Sequence, residues 1–137
     1  MEQVFELEMQ VRDYECDLQG IVNNAVYQNY LEHCRHKFLH EIGLNFAQLH
    51  NDGIDAVVIR VEMDYKQSLR PDDHFIVRLT MRKEGNLRFV FNQDIVKKDD
   101  GKLAIKAKVF AVLTKNGRPI APSIVEEALR AKGYSFE

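Results

Sequence analysis

A single carboxylate, a glycine and a helix start fall close together in Tyr14-Glu15-Cys16-Asp17-Leu18-Gln19-Gly20-Ile21-Val22-Asn23-Asn24-Ala25-Val26-Tyr27. Those residue types can act on a carbonyl carbon. A helix start presents backbone N–H groups that lack intrahelical partners and carry partial positive charge. Such groups can hold the oxyanion that forms when a carbonyl is attacked. Asn23 is a good cap, so the helix is expected to begin near Asn24, whose N–H would face the oxygen. Gly20 lets the chain turn tightly and lets a ligand approach the backbone. Asp17, a short loop away, can attack the carbon or activate water against it. Gly20, Val22, Asn23 and Tyr27 are the neighbouring candidates for substrate contact. An isolated Asp-x-x-Gly is more often an Asx turn on the surface. Here the pattern continues through Tyr27, Tyr30, Glu32 and Arg35, which favours a site.

The elements that would position this loop follow from hydrophobic period. Phe5, Leu7, Met9 and Val11 alternate with polar residues and predict a half-buried strand. Tyr27, Leu31, Cys34, Phe38 and Ile42 recur at helical spacing, with Gly43 as the stop. Phe46–His50 predicts a short helical turn. Further strands are expected over Val57–Tyr65, Phe75–Met81, Leu87–Lys97 and Leu103–Leu113. Asp99-Asp100-Gly101-Lys102 reads as a hairpin turn, and Asn116-Gly117 closes the last strand. Ser123-x-x-Glu126 has the form of a capping box that opens a final helix ending near Gly133. One strand, one long helix and then four long strands joined by short turns imply an α+β domain, a five-stranded antiparallel sheet wrapped around one long helix. One helix covers only part of such a sheet, so an oligomer is expected to hide the remainder.

At 137 residues the chain is expected to form one domain spanning 1–137, with enough length for a proper core. Hydrophobic content of 45% and charged content of 29% are those of a soluble globular protein. A formal net charge of -2 supplies no field to recruit nucleic acid or an anionic membrane. The start Met1-Glu2-Gln3-Val4-Phe5-Glu6 has neither a basic segment nor an apolar run, and a cytoplasmic location is expected. Two cysteines, Cys16 and Cys34, make no disulfide framework.

The pattern Asp-x-x-Gly-x-Val-Asn-Asn-x-x-Tyr over Asp17–Tyr27, continued by Tyr30-Leu31-Glu32-x-x-Arg35, resembles the acyl-CoA thioesterases of the 4-hydroxybenzoyl-CoA type. That family has the hotdog fold, and the resemblance covers nearly the whole chain. It implies hydrolysis of an acyl-CoA or acyl-carrier-protein thioester, with Asp17 as nucleophile or general base and the N–H of Asn24 as oxyanion donor. It also implies a homodimer or homotetramer and no cofactor, coenzyme A entering only as part of the substrate. Some other hotdog thioesterases carry their acid on the long helix, about where Glu32 falls, so Glu32 is the second-choice acid. Two departures stand out. Several relatives have a histidine where this chain has Asn24, and the family usually has Gly-Asp where this chain has Asp72-Asp73.

Other constellations carry less. Glu32 and Arg35, one turn apart, are expected to pair. His36 and His40 have the spacing of a metal pair, but they sit with His33 on the polar helix face and no metal is expected. Coenzyme A phosphates need local cations; Arg88, with Arg82 and Lys83, flanks the Glu84-Gly85-Asn86 turn, and Lys66 and Arg70 are further candidates. Tyr27 and Tyr30 could wall an acyl pocket or simply pack. Two alternatives share the fold. A hydro-lyase acting on a 3-hydroxyacyl thioester commonly needs a histidine with its acid, and none of the five histidines lies in the Asp17–Asn24 loop. A non-catalytic acyl-thioester-binding module could retain Asp17 without turnover.

Overall fold

The structure, a computed structural model, describes residues 3–137, so Met1 and Glu2 of the expected domain lie outside the described residues. Its elements are β1 (Phe5–Gln10), a 3-10 turn (Asp13–Glu15), α1 (Asn24–Glu41), α2 (Phe46–Asn51), β2 (Ile54–Tyr65), β3 (His74–Glu84), β4 (Arg88–Lys97), β5 (Leu103–Lys115), β6 (Arg118–Ile120) and α3 (Ser123–Ala131). All strand pairs are antiparallel, in the order β1-β3-β4-β5-β2, with β6 also pairing β5. This is the sheet-around-helix arrangement that periodicity predicts, with one strand added. Asn116 (φ 51°) and Gly117 (φ 82°) do not merely close β5. Positive φ at both central positions makes the tight hairpin turn that folds β6 back onto β5.

The long helix lies against the concave face of the sheet. Tyr27, Tyr30, Leu31, Cys34, Phe38 and Leu39 are its buried residues. Facing them are alternate residues of the central strands: Phe75, Val77 and Leu79 on β3, Phe89, Phe91 and Ile95 on β4, and Ile105, Ala107 and Val109 on β5. Burying each large apolar side chain contributes about 1.5–3 kcal/mol, so this single interface dominates the core. The end of α1 is a Schellman turn. The N–H of Gly43 donates to the carbonyl of His40, and the N–H of Leu44 to that of Leu39.

Two local expectations are corrected. Ser123 is not a cap: Pro122 occupies that position without a side-chain bond, and Ser123 is the first helical residue. Glu126 lies near Lys83 (3.8 Å) and Arg130 (3.6 Å) instead. Arg35 is not paired with Glu32; its Nη1 donates to Gln93 Oε1 at 3.0 Å. Glu32 points outward to solvent, whereas Arg35 turns inward along the sheet.

Candidate active site

The Asp17 loop is a short excursion braced by backbone hydrogen bonds. Cys16 and Val22 form an antiparallel bridge, and the N–H of Asp17 donates to the carbonyl of Ile21 at 2.9 Å. The N–H of Gly20 returns to the carbonyl of Asp17 at 3.0 Å, and Gly20 has φ 75°, a left-handed conformation that makes the tight turn expected of it. The Asp17 carboxylate is exposed and accepts the N–H of Gln19 at 2.8 Å, an Asx turn. The far side of the loop is fixed twice. Val22 N–H donates to the carbonyl of Leu69 at 2.8 Å, and Asn23 N–H to that of Glu15 at 3.0 Å.

Asn23 then caps α1. Its Oδ1 accepts the N–H of Ala25 at 3.1 Å, and its carbonyl accepts the N–H of Val26 at 2.9 Å. Among the described residues the N–H of Asn24 has no partner. Asn24 and Tyr27 form one wall of a pocket of about 160 Å³ whose other wall is Tyr65, Lys66, Gln67 and Ser68, where β2 runs into the next loop. Tyr27 stands edge-on to Tyr65, with ring centroids 5.7 Å apart, and its hydroxyl accepts the buried N–H of Leu69 at 3.0 Å. Burial raises the pKa of Tyr27 above its ordinary value, so the hydroxyl stays protonated. Gln67 Oε1 is buried beside the pocket with no hydrogen-bond partner.

The other candidates scatter. Asp17, Gly20 and Val22 do not line this pocket in the single chain. Tyr30 is structural: its hydroxyl donates to Glu15 Oε1 at 2.8 Å, and its ring packs on Phe75 at 4.7 Å. Glu32 borders a second cavity, of about 260 Å³, farther along α1. Eight residues of helix put it about 12 Å from Asn24 along the axis. Arg88 pairs with Glu84 at 3.3 Å. It lies opposite Val112 on β5, whereas Tyr65 lies opposite Ile105, which separates the two levels by about 23 Å of strand. Lys66, on the pocket wall, is the nearer cation. Cys34 is buried, which pushes its thiol up to about 12. His33, His36 and His40 are exposed on α1. Sequence reasoning overlooks Tyr65 and Gln67 as pocket residues, because nothing local marks the end of β2 as the wall opposite a helix start forty residues earlier. It also overlooks Gln93, although a polar residue in the inward series Phe89, Phe91, Gln93, Ile95 is a readable anomaly.

The sequence signature of the thioesterase-like superfamily matches residues 11–132. The chain is 34% identical over 137 residues to the chloroplastic acyl-acyl carrier protein thioesterase ATL3 of Arabidopsis thaliana, covering 99% of this chain and 70% of that one. It is 35% identical over 111 residues to the corresponding enzyme ATL2, covering 81% of this chain and 59% of that one. Among solved structures, a hypothetical protein from Aquifex aeolicus superposes with TM-score 0.83 at 31% identity, covering 91% of this chain and 98% of that one. A 1,4-dihydroxy-2-naphthoyl-CoA thioesterase from Synechocystis has TM-score 0.88 at 17% identity, covering 97% and 100%, a likeness of fold.

Proposed function

The chain belongs to the thioesterase-like superfamily and is a thioester hydrolase, and we propose that it cleaves an acyl-CoA or acyl-carrier-protein thioester held at the start of α1. The N–H of Asn24, unpartnered among the described residues and belonging to a residue that lines the pocket with Tyr27, carries this reading. A thioester carbonyl oxygen placed there receives that N–H and the positive end of the helix dipole as negative charge develops. Asp17 supplies the carboxylate. As nucleophile, its oxygen bonds to the acyl carbon, the C–S bond breaks, and the thiolate leaves and takes a proton from solvent. Water then opens the acyl-aspartyl anhydride to release the acid and restore the carboxylate. As general base, Asp17 instead takes the proton of a water that attacks the same carbon. No metal or redox cofactor is required on either route, because a thiolate is a good leaving group.

The opposite wall supports the same ligand. The orphaned Gln67 Oε1 is satisfied by an amide N–H of the pantetheine arm, which coenzyme A and acyl carrier proteins share. Lys66 is the cation nearest the pocket for the phosphate end. The test is Asp17→Asn, assayed by free thiol release. Loss of about a hundredfold or more in kcat is expected for a deleted nucleophile or base. Activity within tenfold of wild type in folded protein would sink the assignment, and a dead Glu32→Gln would move the acid to Glu32. Single turnover in 18O-labelled water establishes the nucleophilic route where label enters Asp17; label in the product acid alone is given both by the base route and by an anhydride opened at its acyl carbon.

We propose a homo-oligomer as the working form. β2 is an edge strand with its outer side unpaired among the described residues, and Val57, Val58, Ile59 and Val61 on it are 38–45% exposed. An edge of that length and apolarity is a pairing template. A second copy of β2 is the fitting partner. Sedimentation equilibrium at micromolar protein is expected to show no dominant species near 16.0 kDa; a fully active monomer would refute this. A cytoplasmic location is proposed with it.

A further inference from the structure

The helix-start pocket is one end of a longer seam between α1 and β2. The two elements run antiparallel, so positions rising along the helix meet positions falling along the strand. Asn24 and Tyr27 lie across from Tyr65. Gln28 and Leu31 lie across from Met63 and Val61. Glu32, His36 and Leu39 lie across from Val58, Ala56 and Asp55. The space along this seam is uneven: about 160 Å³ at the helix start, about 10 Å³ in the middle and about 260 Å³ at the far end. Arg35 borders both the constriction and the far cavity, and no other residue lines both.

That side chain is fastened in place. Its Nη1 donates to Gln93 Oε1 at 3.0 Å, and Gln93 Nε2 donates to the carbonyl of Leu31 at 3.0 Å. The guanidinium carbon lies 5.8 Å from the centre of the Phe91 ring. Gln93 is 1% exposed, the one buried polar side chain among the described residues outside the aromatic and thiol groups. A buried amide is kept where its hydrogen bonds are made, and here both bonds serve to tie the Arg35 head back to the Leu31 turn. Glu32, the carboxylate one turn away, takes no part. Loss of water around the guanidinium lowers its pKa from the ordinary arginine value, in keeping with a cation held inside the seam rather than waving from it.

We propose that Arg35 sets the acyl length this enzyme accepts. Its side chain, held by Gln93, borders the constriction beside Gln28 and Leu31, so an acyl chain entering from the helix start stops there and does not reach the far cavity. The helix-start pocket, about 160 Å³, is the room left for the acyl group on the near side of the constriction. A chain that pushed farther would break the Arg35–Gln93 bond and leave the buried amide oxygen unpaired. This inference rests on the thioester-hydrolase reading with the acyl carbonyl at Asn24, and it names the residue that limits the chain.

The test compares kcat/KM for hexanoyl-CoA and hexadecanoyl-CoA in the full-length wild type, Arg35→Ala, and Arg35→Ala with Ala56→Trp. The wild type is expected to favour hexanoyl. Arg35→Ala joins the constriction to the far cavity and is expected to raise the hexadecanoyl-to-hexanoyl ratio at least about tenfold, the scale on which apolar pockets discriminate methylenes. Ala56→Trp fills the far cavity from its exposed rim and is expected to bring the ratio back. Should Arg35→Ala not fold, Gln28→Ala widens the constriction from the exposed side of α1 and is expected to raise the ratio severalfold. A ratio within twofold of wild type in folded Arg35→Ala, or in folded Gln28→Ala where that replaces it, would overturn the proposal. So would a shifted ratio that Ala56→Trp leaves untouched. A wild type that releases no thiol from any CoA or acyl-carrier-protein thioester, aromatic ones included, would overturn the hydrolase reading instead.

Discussion

Tyr27→Phe isolates one hydrogen bond that ties the Asp17 loop to the fold. The Tyr27 hydroxyl accepts the N–H of Leu69 at 3.0 Å. The two residues are 2% and 0% exposed, so water cannot replace the lost acceptor. The same Leu69 accepts the N–H of Val22 through its carbonyl at 2.8 Å, so its peptide bridges α1 to the loop that carries Asp17. Removing only the oxygen leaves ring packing against Tyr30 and Tyr65 in place. The cost is therefore that of an orphaned buried N–H, about 1–3 kcal/mol. For a chain of this size each kcal/mol lowers Tm by about 3–5 °C, so a centre value near 2 kcal/mol corresponds to about 6–10 °C. Urea unfolding followed by far-UV circular dichroism measures the loss. Tyr14→Phe, at an exposed tyrosine held only by Arg12, is the control and is expected to stay within about 0.5 kcal/mol. A Tyr27→Phe protein as stable as that control would refute the hydrogen-bond reasoning. Native stability with altered acyl ranking would leave Tyr27 a pocket wall only.

Asp72 occupies the turn position where the family usually has glycine, and its φ of 68° shows why: the backbone there is left-handed. Asp72→Gly keeps the bond from its N–H to the carbonyl of Val11 and relieves the Cβ strain, and stability is expected to rise by up to about 1 kcal/mol in urea unfolding; a loss would mean the carboxylate has a role of its own. Cys34 gives a pH prediction. Burial holds its thiol up to about 12 against 9.0 for a free one, so the native state keeps a proton that the unfolded chain releases. Its contribution is whole below pH 9 and is lost as pH rises towards 12, at up to about 1.4 kcal/mol per pH unit. Cys34→Ala is expected to be less stable at neutral pH but to show a shallower alkaline decline, and parallel declines would refute the assignment.

The long helix and long strands are legible because each has a single period and one face to bury. Tyr27, Leu31, Cys34 and Phe38 at helical spacing identify the face of α1 that is buried, and Gly43 marks its end through a left-handed turn that few other residues tolerate. Short elements are not legible in this way. β6 is three residues long and carries no alternation, so only the Asn116-Gly117 turn hints that the chain doubles back. Ser123 has the residue type of a cap, yet Pro122 precedes it, and proline fixes the backbone one position earlier.

The site divides along the same line. Its near half is contiguous in sequence: Asn23 caps, Asn24 follows with an N–H unpartnered among the described residues, and Gly20 turns, each dictated by residues within a few positions. Its far half, Tyr65 to Ser68, comes from the end of β2, and only the pairing of that strand across β5 brings it opposite the helix. Arg35 shows how a local rule can fail. One-turn spacing favours a pair with Glu32, worth a few tenths of a kcal/mol in water. A buried amide on β4, fifty-eight residues away, competes for the same guanidinium, and unsatisfied it would cost about 1–3 kcal/mol. The buried amide therefore prevails, the arginine turns inward, and a residue that looks like helix bracing becomes part of the seam along which the acyl chain is proposed to lie.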